Sequence, residues 1–247
     1  MRDVTVALRE HLEAVLASGV EEKNLLGVFL YGSQNYCTNL PNSDVDTKAI
    51  VIPTFEDLCL KPAVSQEIHL ENGEHCEIKD IREIVKNFRK QNINFIEILY
   101  TSYCWVNHRY EDLWKHFFIS NKEYISHYDI NKCVQSICGQ AIHTLKQNKT
   151  DGKKYSNGLR LSYFLNKYIQ NISYIDCLIP EKGMREICRM YKAEESRVFE
   201  SQTDQLIESF ETLRKTSYEN HYSKERIDRD ILDKGTLLLI QRNMFDF

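Results

Sequence analysis

Hydrophobic residues change their period along this chain, from a mixture of helical and strand spacings to helical spacing alone. Over residues 3–17, Val4, Leu8, Leu12, Val15 and Leu16 recur at helical intervals, so the chain opens with an amphipathic helix, which Gly19 and Glu21-Glu22-Lys23 end. Residues 25–31 form a short apolar run closed by Gly32, the pattern of a buried strand leaving a sheet. Residues 48–52 form a second run, stopped by Pro53. Residues 54–60 predict a turn or two of helix, with Thr54 as cap and Glu56 and Asp57 in the first turn. Asn72-Gly73 separates two short runs of alternating sidedness, 68–70 and 75–78, and predicts a hairpin. From Asp80 the period lengthens: Ile81, Ile84, Val85 and Phe88 make one stripe of a helix capped by Asp80, with Arg82, Lys86, Arg89 and Lys90 largely off it. Residues 94–100 continue as a helical segment under the sheet.

Beyond residue 107 no strand pattern recurs. Helices are expected over 109–118, 121–127, 129–148, 154–171, 181–192, 194–216 and 223–241, with 173–180 an apolar interruption and 148–152 the clearest loop. The expected fold class is α+β, a mixed unit over residues 1–107 followed by an all-helical unit over 108–247.

Composition narrows this little: 42% hydrophobic and 28% charged residues, with nine Gly and four Pro, exclude disordered and fibrous classes. The net charge of −4 tells against a protein that coats long nucleic acid, so any nucleic-acid contact should be local. Eight dispersed cysteines without a Cys-x-x-Cys pair fit reduced buried thiols of a cytoplasmic protein rather than a zinc site, Cys133 and Cys138 being the closest pair. The charged N-terminal segment lacks the apolar core of a secretory signal, and no apolar stretch has the length of a membrane helix, so no membrane partner is expected.

Candidate chemistry lies between the first two apolar runs. Gly32-Ser33 ends the first, a polar loop follows, and Asp44-Val45-Asp46 heads the second. Glycine lets backbone approach a phosphate closely, and the residues after it can present amide hydrogens and a hydroxyl to a triphosphate. Side chains two apart on a strand face the same way, so Asp44 and Asp46 can clamp metal ions. In-line attack on an α-phosphorus is served by two Mg ions held by shared carboxylates, which calls for a third acid on an adjacent strand. Glu77, alternating with Cys76 and Ile78 after the hairpin, is the candidate; Glu74 in the turn and Asp80 at the helix cap are the fallbacks. Lys153, Asn157 and Arg160 share one helix face, with Lys154 beside them, in a locally basic segment over 146–167 that suits either a phosphate or RNA contact or a solvated face.

These residues resemble the nucleotidyltransferase superfamily of DNA polymerase beta, whose signature is an apolar residue, Gly-Ser, a spacer of roughly ten residues and Asp-apolar-Asp. Within it, residues 31–52 look most like the bacterial and phage RNA-repair-pathway polymerase-beta-like group, and 80–99 and 153–161 are similar to that group as well. The resemblance implies a polymerase-beta-like palm, a mixed sheet with flanking helices, followed by an all-helical C-terminal domain. It further implies a Mg-dependent transferase acting on a nucleoside triphosphate such as ATP, with Asp44 and Asp46 as metal ligands and Ser33 as a phosphate ligand. The third carboxylate would orient or deprotonate the acceptor hydroxyl. The sequence departs from the pattern where Tyr36-Cys37 occupies the place of a second Gly, and where Glu77 stands for the more usual Asp.

The expected activity is therefore transfer of a nucleoside monophosphate to an acceptor hydroxyl, an RNA 3′ end leading, with catalytic and metal-binding Asp44, Asp46 and Glu77. Two Mg ions are expected, with Mn able to substitute. Phosphate contacts are expected from Gly32, Ser33, Lys153, Lys154, Asn157 and Arg160. Transfer to a protein or small molecule is the alternative within enzymes, and a non-catalytic nucleotide- or RNA-binding protein the alternative outside them. Tyr31 and Tyr36 flank the Gly-Ser turn and offer packing to the strand core or to a nucleotide, Trp105 and Trp114 read as core, and Arg214 with His221 fits a permissive Arg-then-His pattern of helical ribonucleases.

Overall fold

The structure, a computed structural model, describes residues 2–219 and 230–245. Helix α1 (Val4–Ala17) begins where the Asp3 carboxylate accepts from the amides of Thr5 and Val6, and it buries Ala7, Leu8, His11 and Val15. Five strands follow: β1 (Leu25–Tyr31), β2 (Asp46–Val51), β3 (Ser65–His69), β4 (His75–Asp80) and β5 (Cys104–Val106). They form one mixed sheet in the order β3-β4-β2-β1-β5, with β2 and β4 parallel and the other pairs antiparallel. The expected strands and the hairpin about Asn72-Gly73 are present. The second strand begins at Asp46 rather than Lys48, because Asp46 pairs with both Tyr31 and His75. Strand β5 was not foreseen, since three residues are too few to display alternation.

Alternation divides the sheet into two faces. Val28, Ala49, Val51, Cys76 and Ile78 pack under α1 with Val15. Phe29 and Ile50 belong to the opposite face and to a continuous core that includes Phe88, Trp114, Phe118, Leu145, Phe164 and Tyr168. Tyr31, Asp46, Lys48, His75 and Glu77 share this second face. Pairing sets Tyr31, Asp46 and His75 in one row across β1, β2 and β4, and Phe29, Lys48 and Glu77 in the next.

Between β2 and β3 lies α2 (Phe55–Leu60), started by a capping box of Thr54 and Asp57. Helix α3 (Ile81–Arg89) is capped by Asp80 and carries the expected stripe of Ile81, Ile84, Val85 and Phe88, and α4 (Ile93–Ile96) runs into a 3₁₀ turn over Glu97–Leu99. After β5 every described element is helical. α5 (Glu111–Trp114) continues through a π turn over Lys115–Ile119 into α6 (Lys122–Ser126), α7 (Ile130–Gln147) and α8 (Gly152–Tyr168). A short α9 (Tyr174–Leu178) fills the apolar interruption, and α10 (Lys182–Lys192), α11 (Glu200–Glu219) and α12 (Asp230–Phe245) complete the chain. The expected helix over 194–216 starts only at Glu200, and that over 223–241 lies partly outside the described residues. Helix α7 packs on α8 and α11, α8 packs on α10, and α12 returns to the sheet, where Asn243 Nδ2 donates to the carbonyls of Ile52 (3.1 Å) and Pro53 (3.3 Å).

Arg82, Lys86 and Arg89 pair with Asp80, Glu83 and Asp233, as a surface strip does. All eight cysteines are free, Cys133 and Cys138 among the buried ones. No helix among the described residues is long and apolar enough to cross a membrane.

Where β1 meets β5 the backbones approach closely: a Cβ on Gly27 would stand 2.6 Å from the Trp105 carbonyl oxygen. Gly27→Ala should therefore force the two strands apart and lower the unfolding free energy by about 1–3 kcal/mol, measured as a shift of the urea midpoint with unchanged slope.

Candidate active site

Strand β1 ends in Gly32, whose φ of +83° turns the chain sharply out of the sheet. The turn is held from below: the Gly32 amide donates to Glu97 Oε2 (3.2 Å), and Asn35 Nδ2 donates to the Glu97 carbonyl (3.3 Å) and carboxylate (3.4 Å). A Cβ at Gly32 would lie 3.6 Å from Asp46 Oδ2, so the Gly-Ser turn sits directly against the first residue of β2. Asp44, just before the strand, is exposed, whereas Asp46 is half-buried. Across from them stands the start of α8, where Asp151 caps the Lys154 amide and Lys153, Lys154, Asn157 and Arg160 follow.

These two walls enclose a cleft of about 1090 Å³. Gly32, Ser33, Asp44, Asp46, Lys153, Lys154, Asn157 and Arg160 all line it, which brings together eight of the nine residues singled out in the sequence. Tyr31 and Tyr36 line it as well. No protein-family model matches the sequence, and no curated protein matches it.

Burial and the neighbouring Asp44 push the Asp46 carboxyl up to about 6, against the opposing pull of His75, Lys153 and Lys48. Its Oδ1 lies 2.8 Å from His75 Nδ1, out of line for a hydrogen bond, and is otherwise without a partner. On the facing wall Arg160 is 4% exposed. Its guanidinium covers the Tyr36 ring at 3.9 Å and donates to Asn157 Oδ1 (3.0 Å), while Nε and Nη1 are buried without an acceptor. A buried guanidinium with two unused donors is costly unless an anion arrives to accept them.

Glu77 is the ninth residue, and it does not line the cleft. It is on the predicted strand and face, yet its Oε1 accepts from Lys48 Nζ (2.8 Å) and from the Tyr31 hydroxyl (2.8 Å), with Lys79 Nζ 3.7 Å from Oε2. Lys48 is 1% exposed, so its ammonium requires a counter-charge, and Glu77 opposite it in register supplies one. Of the fallbacks, Glu74 lines the cleft but is held by Arg2, His11 and Asn72, and Asp80 caps α3 and pairs with Arg82. Among the described residues no three His, Cys, Asp or Glu side chains gather as a metal site. Asp44 and Asp46, both lining the cleft, suit a Mg ion that keeps water and takes its remaining ligands from phosphate. They do not by themselves suit a protein-held pair of ions.

Two cleft residues, Glu97 and Lys192, and one beside the cleft, His75, escaped the sequence reading. Glu97 is buried, and desolvation raises its carboxyl to about 7 despite Arg160 and Lys48; a lone acid inside the apolar run 95–99 was its only signal. Lys192, at the end of α10, lines the cleft and donates to the Thr38 carbonyl (3.2 Å), and burial with Lys153 and Arg160 lowers its ammonium to about 8. His75 faces Asp46, and only the strand register reveals it. Elsewhere, Lys146 and Lys149 are taken by Glu211 and Asp204, and Arg214 Nε donates to Gln135 in the α7–α11 contact, while His221 lies outside the described residues.

Two outcomes follow from these partners. Glu77→Gln leaves the Lys48 ammonium without its counter-charge and should destabilise the fold by about 3–5 kcal/mol in urea unfolding, whereas the double change Lys48→Met, Glu77→Leu should recover most of the loss. Glu97 has its folded-state value of about 7 above the ordinary 4.5, so its contribution to stability is full below that ordinary value and is lost as pH rises toward 7. Glu97→Gln should therefore gain about 3 kcal/mol relative to wild type between pH 4.5 and 8, read from denaturant unfolding at both pH values.

Proposed function

We propose that this chain is a nucleotidyltransferase with a polymerase-beta-like palm, which binds a nucleoside triphosphate in the cleft and transfers the nucleoside monophosphate to an acceptor hydroxyl, an RNA 3′ end being the leading acceptor. One observation carries the reading: Asp44, Asp46 and Ser33 on one wall face Lys153, Lys154, Arg160 and Lys192 on the other. Acids opposite cations, beside a glycine turn, match a Mg-bound polyphosphate better than a purely organic anion, which would leave the acids without a counter-charge. Arg160 supplies two free donors for phosphate oxygens, and Tyr36 beneath it braces the guanidinium. Mg held by Asp44 and Asp46 would supply charge neutralisation at the α-phosphate and the leaving pyrophosphate. At about 1090 Å³ the cleft is large enough to take a nucleotide. The net charge of −4 restricts RNA contact to this basic wall.

A second reading, a nucleotide-binding protein that performs no transfer, draws on the pairing of Glu77 with Lys48, which takes the expected third carboxylate out of the cleft.

The test is incubation of the purified protein with Mg or Mn and each labelled triphosphate, with and without RNA. Label should enter RNA, and Asp44→Ala, Asp46→Ala should lower the rate at least 100-fold. Label in protein instead would redirect the acceptor to a protein hydroxyl. Binding of a triphosphate that Arg160→Ala weakens tenfold or more, without transfer to anything, would favour the second reading.

A further inference from the structure

Strand parity fixes which side chains can meet a cation at the floor of the cleft. Asp46 shares its row with Tyr31 on one side and His75 on the other, and β4 is the only strand whose side chains can flank β2 on that second side. A second ion held by protein would need an acid on β4 beside Asp46. That place holds the imidazole of His75, with Nδ1 2.8 Å from Asp46 Oδ1 and Nε2 2.9 Å from the Tyr31 hydroxyl. The sole acid of β4 on this face, Glu77, sits one row further in and is neutralised by the buried ammonium of Lys48.

The other acids that line the cleft are likewise committed. Glu74 accepts from Arg2, His11 and Asn72. Glu97 accepts from Gly32 and Asn35, and Asp151 accepts from the Lys154 amide at the start of α8. Among the described residues, two acids, Asp44 and Asp46, remain for a cation. A divalent ion needs several oxygen ligands, and Mg draws the balance from water and substrate phosphate. Two carboxylates and a polyphosphate are enough for one such ion. For two, the floor lacks both a bridging partner on β4 and the negative charge to offset a further two positive charges beside Lys48.

We infer that the cleft takes a single divalent cation, carried on the triphosphate and held by Asp44 and Asp46, and that His75 stands where a second cation's carboxylate would have to be. The inference rests on the nucleotide-binding reading above and replaces its expected two ions by one. His75 is on this account a positioning residue. Its ring, held by the Tyr31 hydroxyl at Nε2, fills the gap beside Asp46 and so limits where the carboxylate that meets the cation can move.

The count of ions tests this directly. Wild-type protein is titrated with Mn in the presence of α,β-methylene ATP, free Mn being read by electron paramagnetic resonance and bound nucleotide by calorimetry. One Mn per bound nucleotide is expected for wild type and for His75→Ala, and two for His75→Asp, which restores a carboxylate beside Asp46. Two Mn per nucleotide in wild type would overturn the inference while leaving nucleotide binding intact. A count of one in a His75→Asp variant that binds nucleotide with wild-type affinity would also overturn it, because the missing acid would then not be the reason. If His75→Asp fails to fold, the counts for wild type and His75→Ala still decide. Absence of nucleotide binding by wild type would overturn the nucleotide reading itself, and the single-ion inference with it.

Discussion

Lys48 places an ammonium group in the middle of the sheet, 1% exposed, and the contacts that offset its desolvation determine what the neighbouring strands can offer to the cleft. Its nitrogen sits 3.5 Å from the centre of the Tyr31 ring and 4.8 Å from that of Phe95, and it donates to Glu77. Tyr31 then spends its own proton on Glu77, which leaves the hydroxyl oxygen to meet His75, and His75 in turn abuts Asp46. The contacts of a single buried charge thus run through three side chains, Glu77, Tyr31 and His75, to the carboxylate at the head of β2. Without Lys48, Glu77 would keep the Tyr31 hydroxyl and the more distant Lys79 but lose its buried counter-charge on the face that carries Asp46.

The opposite wall follows a different logic. Burial, Lys153 and Arg160 all work against the Lys192 ammonium, yet the fold keeps the three cations on one wall. Glu97 lies underneath the Gly-Ser turn without forming an ion pair that would occupy the Arg160 donors, and its burial raises its own carboxyl to about 7. The cations therefore stay available while the turn that faces them is braced by the same carboxylate.

How much of this could be read from sequence depended on range. Elements with a local signature appear where expected: the apolar run into Gly32, the Asn72-Gly73 hairpin, the Asp80-capped stripe through Phe88. The grouping of Gly32, Ser33, Asp44 and Asp46 was legible because a strand, a turn and a strand are contiguous. Lys153, Lys154, Asn157 and Arg160 were legible as a helix face, though not which wall they would meet. Glu77 was correctly placed on strand and face, but its partner was not foreseen, because a lysine on the parallel neighbour depends on register across 29 residues. Lys192 offered nothing local at all; it reaches the cleft only because α10 packs along α8.

Helix α10 also has a mechanical consequence. Arg189 Nη2 donates to the Cys37 carbonyl (2.7 Å) and Lys192 Nζ to that of Thr38, so the last turn of α10 grips the loop that continues from the Gly-Ser turn, itself kinked by Cys37 at a φ of +60°. A neutral carbonyl is a weak partner for an ammonium beside a cleft. Loop and helix are thereby fastened to each other at two points, so the position of the loop beyond the Gly-Ser turn depends on that of α10.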